Sequence, residues 1–195
     1  MTDRLTWDGW SNVGKSERVQ SATDYKYEFT VTDSIGLTSV VEGVIPVDVL
    51  VIRDGEFLKI QIPSIVFRSD AADFGVVGEK LSDGTVISKG ITKEQKANNE
   101  KVLKRIAEIL NKFKEYNIVI EGHANNISGT LEEGEKDIPL SEKRAEFVKT
   151  RLVKYGINAS RLETVGRGGT QPIVVPGNDP STAWKNRRVE FILQK

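Results

Sequence analysis

Gly122-His123-Ala124-Asn125-Asn126, entered from the apolar run Ile118-Val119-Ile120, is the stretch whose reading decides the fold. The apolar run is too brief for a helix and suits a buried strand, which then ends in small and polar residues. Two more blocks follow, Leu140-Ser141-Glu142-Lys143-Arg144-Ala145 and Asn186-Arg187-Arg188-Val189-Glu190. The first opens a helix. Ser141 reads as its N-cap, Leu140 and Ala145 as a small staple, and Ala145, Val148 and Leu152 as its inner face. Gly156 ends that helix, with Ile157 placed to cover the final turn. Residues 161–166 and 188–193 supply two further strands.

Upstream, Thr92-Lys93-Glu94-Gln95 is a capping box, in which the Thr hydroxyl and the Gln side chain each satisfy an orphan amide. Val102, Leu103, Ile106, Ile109, Leu110 and Phe113 recur at helical spacing, which predicts an amphipathic helix over about 93–114. Leu58, Ile60 and Ile62 alternate with Lys59 and Gln61, giving a strand that runs on into Ile65-Val66-Phe67. Asp83-Gly84 between Lys80-Leu81 and Val86-Ile87 marks a hairpin turn. The order β-α-β-α-β-β predicts an α+β fold, a mixed sheet with helices on one face, over residues 54–195.

Residues 1–53 read as a separate all-β module. Tyr25, Tyr27, Phe29 and Val31 alternate with polar residues, the signature of a half-buried strand. Asp33-Ser34-Ile35-Gly36 supplies a turn, and residues 40–51 read as further strand.

Composition narrows the function. The 28 basic and 28 acidic residues cancel, so no basic excess points to nucleic acid or to charge-driven membrane binding. There is no cysteine, hence neither a disulfide framework nor a thiolate metal site. A single histidine, His123, leaves no basis for a His-rich metal site. No apolar run reaches the roughly 18 residues of a membrane span. No acidic pair stands in a general-acid context, and neither catalysis, cofactor nor metal is expected.

The three blocks, in this order, resemble the OmpA-like domain family (OmpA, Pal and MotB C-terminal domains), whose pattern reads G-H-T-D-N, L-S-x-x-R-A and N-R-R-V-E. The resemblance covers about residues 58–195. Phe67-Arg68-Ser69-Asp70 resembles the family's F-x-x-D corner, residues 75–90 form an inserted hairpin relative to most members, and residues 166–172 resemble its G-x-G-E-x-x-P turn. Trp7-Asp8-Gly9, Gly14 and the Tyr25–Gly36 run resemble the last strands of a FlgD-type immunoglobulin-like domain, here a partial sandwich.

The OmpA-like resemblance implies a non-catalytic module that binds the peptidoglycan stem peptide and tethers the outer envelope to the wall. It further implies a periplasmic location, with the export signal and outer-membrane attachment in a region upstream of this sequence. The family's ligand is a diamino acid whose ammonium pairs with Asp and whose carboxylate pairs with Arg. Carried onto this chain, the ligand set is Arg144, Asn125, Ala124 and Asp70. Arg144 has the planar fork that grips a carboxylate, and behind the Ser141 cap it would sit in the helix's first turn. Asn125 replaces the family Asp. A charge-assisted hydrogen bond is worth roughly 1.5–3 kcal/mol and a neutral one roughly 0.5–1.5, so diamino acid recognition is expected to be weakened or altered. Glu132, Glu133, Glu135 and Asp137 read as a solvated acidic loop, with a missing anion supplied from it as the second option. Diaminopimelate and ornithine stem peptides both remain open. The alternative is a divergent scaffold for envelope protein contacts, made through the N-terminal β module.

Overall fold

The computed structural model describes residues 24–62, 65–68, 70–177, 179 and 183–195. The Trp7-Asp8-Gly9 and Gly14 features lie outside these residues. Alternation in the sequence translates directly into a five-stranded sheet. Its strands are β3 (Ile52–Asp54), β4 (Phe57–Ile62), β5 (Asn117–His123), β6 (Leu162–Gly168) and β7 (Val189–Gln194), in the order β3-β4-β7-β5-β6. β5 and β6 run parallel and the other pairs antiparallel, so the sheet is mixed. Register places Ile60, Phe191 and Ile120 side by side, all fully buried. The next residues along, Gln61, Glu190 and Glu121, align on the opposite face, because successive strand residues point to opposite sides.

Helix α1 (Lys93–Leu110) and helix α3 (Ile138–Lys154) contribute Val102, Leu103, Ile106 and Ala145, Val148, Leu152 to the core that the apolar face builds. The Thr92–Gln95 capping box forms in both directions. Helix α1 stops at Leu110, short of the expected 114. Arg161 takes over there, donating to the carbonyls of Leu110, Phe113 and Tyr116, and Phe113 turns to pack edge-on against Tyr116. Gly156 adopts φ 90° and Ile157 folds back, buried, to donate to the Leu152 carbonyl.

Three further expectations are corrected. Residues 65–67 do not continue β4: the Asn99 side chain both accepts from the Val66 N–H and donates to its carbonyl, replacing a strand neighbour. Ser141 is not the helix cap. Helix α3 begins at Ile138 with Pro139 in its first turn, and Ser141 sits buried inside that turn, its hydroxyl donating to the Ile138 carbonyl. Proline is preorganised for a helix start, which moves the boundary N-terminal to the serine. Arg144 therefore stands beyond the first turn. The acidic loop is partly helical, as α2 (Leu131–Lys136) capped by Thr130.

Strands β1 (Asp24–Thr32) and β2 (Thr38–Pro46) form a separate two-stranded ribbon. The turn between them closes as expected, with the Asp33 carboxylate accepting from the Ile35 and Leu37 amides. Its apolar side is open, not half-buried: Tyr27 and Phe29 are 42% and 44% exposed. β2 ends at Pro46 because the chain then docks on α1, where Asp48 pairs with Arg105 and Val49 joins the core. The inserted segment 75–90 turns at Gly84 (φ 84°), with isolated bridges Val76–Ile91 and Lys80–Val86 in place of full strands.

Candidate functional site

Gly122 and Gly166 allow α3 to lie directly on the ends of β5 and β6. A Cβ on Gly122 would come within 2.1 Å of the Ser141 carbonyl oxygen, and one on Gly166 within 2.4 Å of that of Ile138. Close approach of this kind is what glycine permits. It brings Arg144 to the C-terminal end of β5, beside the corner that follows β4. There a cleft of about 340 Å³ opens, lined by residues that include Phe67, His123, Arg144, Trp184, Arg187 and Arg188.

The corner holds Arg144. Its Nε donates to the Ala71 carbonyl at 3.0 Å, its Nη2 more weakly to that of Arg68 at 3.4 Å, and its guanidinium lies 5.1 Å from the Phe67 ring centroid. Phe67 is itself fixed in an aromatic cluster with Phe74 and Phe147. The corner is closed by paired Arg68–Asp73 hydrogen bonds and by Asp70 in the left-handed region (φ 51°), a conformation aspartate tolerates better than most residues. Burial lowers the Arg144 pKa, opposed by the charges of Asp137 and Asp70. The Nη1 group makes no hydrogen bond among the described residues, so a polar edge of the fork stays available in the cleft.

Asn125 is placed differently. Its amide donates to the Gly177 carbonyl at 2.9 Å, and its carbonyl accepts from Asn186 at 3.1 Å. Asn186 also accepts from the Ile173 and Val174 amides. The two asparagines thus pin the 173–177 loop to the end of β5. Ala124 is buried with its N–H donating to the Gly168 carbonyl. Of the four expected ligand residues, Arg144 alone lines the cleft, whereas Asp70 and Asp137 are close enough to act on its charge. Glu133 is engaged by the Ile127 and Ser128 amides, which wraps the loop around α2. Of the loop's carboxylates, Asp137 is the one whose charge acts on Arg144.

Sequence reasoning missed the polar floor beneath the cleft. Glu121, His123, Arg188 and Glu190 are all buried on the sheet face opposite the helices. Glu190 pairs with Arg188 at 2.5 Å and Lys59 at 2.6 Å, and Glu121 pairs with Arg167. His123 Nε2 lies 3.7 and 3.8 Å from the two carboxylates, and neither ring nitrogen has a hydrogen-bond partner among the described residues. The nearby His123 ring and Arg167 hold the Glu121 carboxyl down to about 2 against burial, while burial pushes the His123 pKa down. Glu121, His123 and Glu190 bring metal-ligating atoms within 4.8 Å of one another. Lys59, Arg167 and Arg188 already outnumber the two carboxylates, so a divalent ion would add charge to an electrostatically satisfied cluster. The alternation of Glu121 and His123 along β5 was the available signal.

The model of the OmpA family matches residues 90–187. A peptidoglycan-associated lipoprotein of Mesorhizobium japonicum is 36% identical over 93 residues, covering 48% of this chain and 52% of that protein. The peptidoglycan-binding protein ArfA of Mycobacterium bovis is 36% identical over 92 residues, 47% of this chain and 27% of that protein. The chain thus spans about half the length of the lipoprotein it matches. The periplasmic domain of Helicobacter pylori MotB shares the fold, with a TM-score of 0.53 at 21% identity over 74% of this chain and 78% of that one.

Proposed function

This chain belongs to the OmpA family, and on that premise we propose that it is a non-catalytic module of the cell envelope that binds the peptidoglycan stem peptide. The carrying observation is Arg144, held in the cleft by carbonyls and the Phe67 ring with Nη1 left for a ligand carboxylate. The names of the lipoprotein and of ArfA support the same ligand class. The module works in the periplasm, linked to the outer membrane by a region outside this sequence. No helix among the described residues is long and apolar enough to cross a membrane. Recognition is altered from the family's scheme, because Asn125 has given both ends of its amide to Gly177 and Asn186. The ligand is gripped by its carboxylate, and its ammonium has no dedicated anion at Asn125.

That spent amide also favours a second reading, a scaffold that has left peptidoglycan for protein contacts, with the open apolar side of the β1–β2 ribbon as its surface. Pull-down on purified sacculi separates the two. Wild type should sediment with the wall and Arg144→Ala should lose at least about tenfold in affinity, the worth of one charge-assisted pair. A wild type that stays in solution would leave only the scaffold.

A further inference from the structure

A second cleft lies apart from the one that holds Arg144. It opens where the root of the β1–β2 ribbon meets helix α1, and it encloses about 600 Å³. Its lining includes Asp24, Val47, Asp48, Asn98, Lys101 and Trp184. The path of the chain builds it. Val49 is buried in the core, which draws residues 46–49 down against α1, and Asp48 is held there by Arg105. Asp24 and Pro46 are register partners at the ribbon's base, and both line the cleft. A further wall is Trp184, half-buried in the short helix α4 (Ala183–Asn186). Among the described residues, Trp184 alone lines both clefts. Asp24 and residues 46–49 fall outside the 90–187 stretch that matches the OmpA family, so this cleft is built partly from the chain's own N-terminal segment.

We propose that the second cleft binds a neutral saccharide, with the Trp184 indole as the platform on which a sugar ring stacks. Among the described lining residues, Asp24 and Asp48 cancel Lys101 and Arg105, so no net charge selects for an ion. Asp48 and Arg105 are moreover spent on each other. Asn98, Lys101 and Asp24 make no side-chain hydrogen bond or ion pair among the described residues. The Asn98 amide both donates and accepts, Lys101 donates, and Asp24 accepts. Hydroxyls also donate and accept, so a sugar can use this whole set, whereas a carboxylate or ammonium ligand would meet a repelling group. Val47, Val49 and Val102 add apolar surface, and an indole offers a broad apolar face for the C–H side of a sugar ring. A concave site with apolar walls and a few convergent polar groups is the usual form of a small-ligand site. The natural ligand rests on the wall-binding reading, since the stem peptide is carried on a glycan chain of N-acetylated sugars. A wall fragment would then lie across the indole, with peptide in one cleft and sugar in the other.

The test titrates the whole chain with the N-acetylglucosamine tetramer, a neutral probe free of peptide. A separate titration uses a diaminopimelate stem peptide free of sugar. Calorimetry should show tetramer binding with a Kd of about 1 mM or tighter. Asn98→Ala combined with Lys101→Ala should weaken it about tenfold, the worth of the hydrogen bonds removed. The same double variant should bind the stem peptide as wild type does, because neither residue lines the Arg144 cleft. Trp184→Ala should abolish tetramer binding. Asn98 and Lys101 are exposed on α1 and alanine favours a helix, so the double variant is expected to fold, which circular dichroism would check. Absence of tetramer binding by the wild type would overturn the inference, as would unchanged affinity in the double variant. Tighter binding of a sulfated tetrasaccharide than of the neutral one would overturn it too. If the stem peptide binds in any of these cases, only the saccharide site fails. If the tetramer binds as expected and the stem peptide does not, the saccharide site stands and the stem-peptide reading fails.

Discussion

The two ends of the proposed ligand site, Arg144 in the cleft and Asn125 outside its lining, are held in opposite ways. At one end Arg144 spends Nε and Nη2 on the corner carbonyls and keeps Nη1 in the cleft. At the other, Asn125 uses donor and acceptor alike to hold the 173–177 loop. A guanidinium has five donors and can serve structure and ligand together, whereas a single amide offers few and is soon committed. On the proposed reading, the anion-binding half of the site is therefore kept, and the ammonium-binding half has become part of the frame.

This contrast is sharpest where the shared floor is disturbed. Glu190→Leu removes the partner of buried Arg188 and should destabilise the fold by about 3–5 kcal/mol, as breaking buried pairs does. Denaturant titration would show it, and a loss below about 1 kcal/mol would mean that the floor does not support either end.

Acid acts on the same floor with a defined sign. Glu121 has its pKa lowered from 4.5 to about 2, so its contribution is complete above about pH 4.5 and is lost as pH falls toward 2. His123 is likewise lowered from 6.5, so it too favours folding above that pH and opposes it as pH falls. Stability should be flat above about pH 6.5 and decline below it, more steeply under pH 4.5. Midpoints measured at pH 7, 5 and 3 check the order.

Asn125→Asp tests the spent end, and its effect should be smaller. The new carboxylate still accepts from Asn186 but faces the Gly177 carbonyl with no donor, costing roughly 1–3 kcal/mol of stability. A variant as stable as wild type, with tighter diamino acid binding, would show that the amide is not committed to the loop.

Much of this was legible in the chain. The Thr92–Gln95 box, the Gly156 stop and the alternating strands are local signals, and each forms because its partners lie within a turn or a register step. Ser141 misled because its hydroxyl can cap or back-bond, and Pro139 two residues earlier decided which. The fate of Asn125 was not legible, since Gly177 and Asn186 reach it from distant loops without any periodic pattern. Nor was the openness of the β1–β2 ribbon: Tyr27 and Phe29 alternate like half-buried residues, yet alternation does not say whether a second layer covers them.

The central claim is that the cleft reads carboxylate and not ammonium. Its most direct test is the affinity of a diaminopimelate stem peptide with its distal amine free and with that amine acetylated, measured by calorimetry on the wild-type chain. Affinities within about threefold of each other are predicted, under 1 kcal/mol apart. A loss of about tenfold or more on acetylation would contradict it and show that an anion for the ammonium exists in the site.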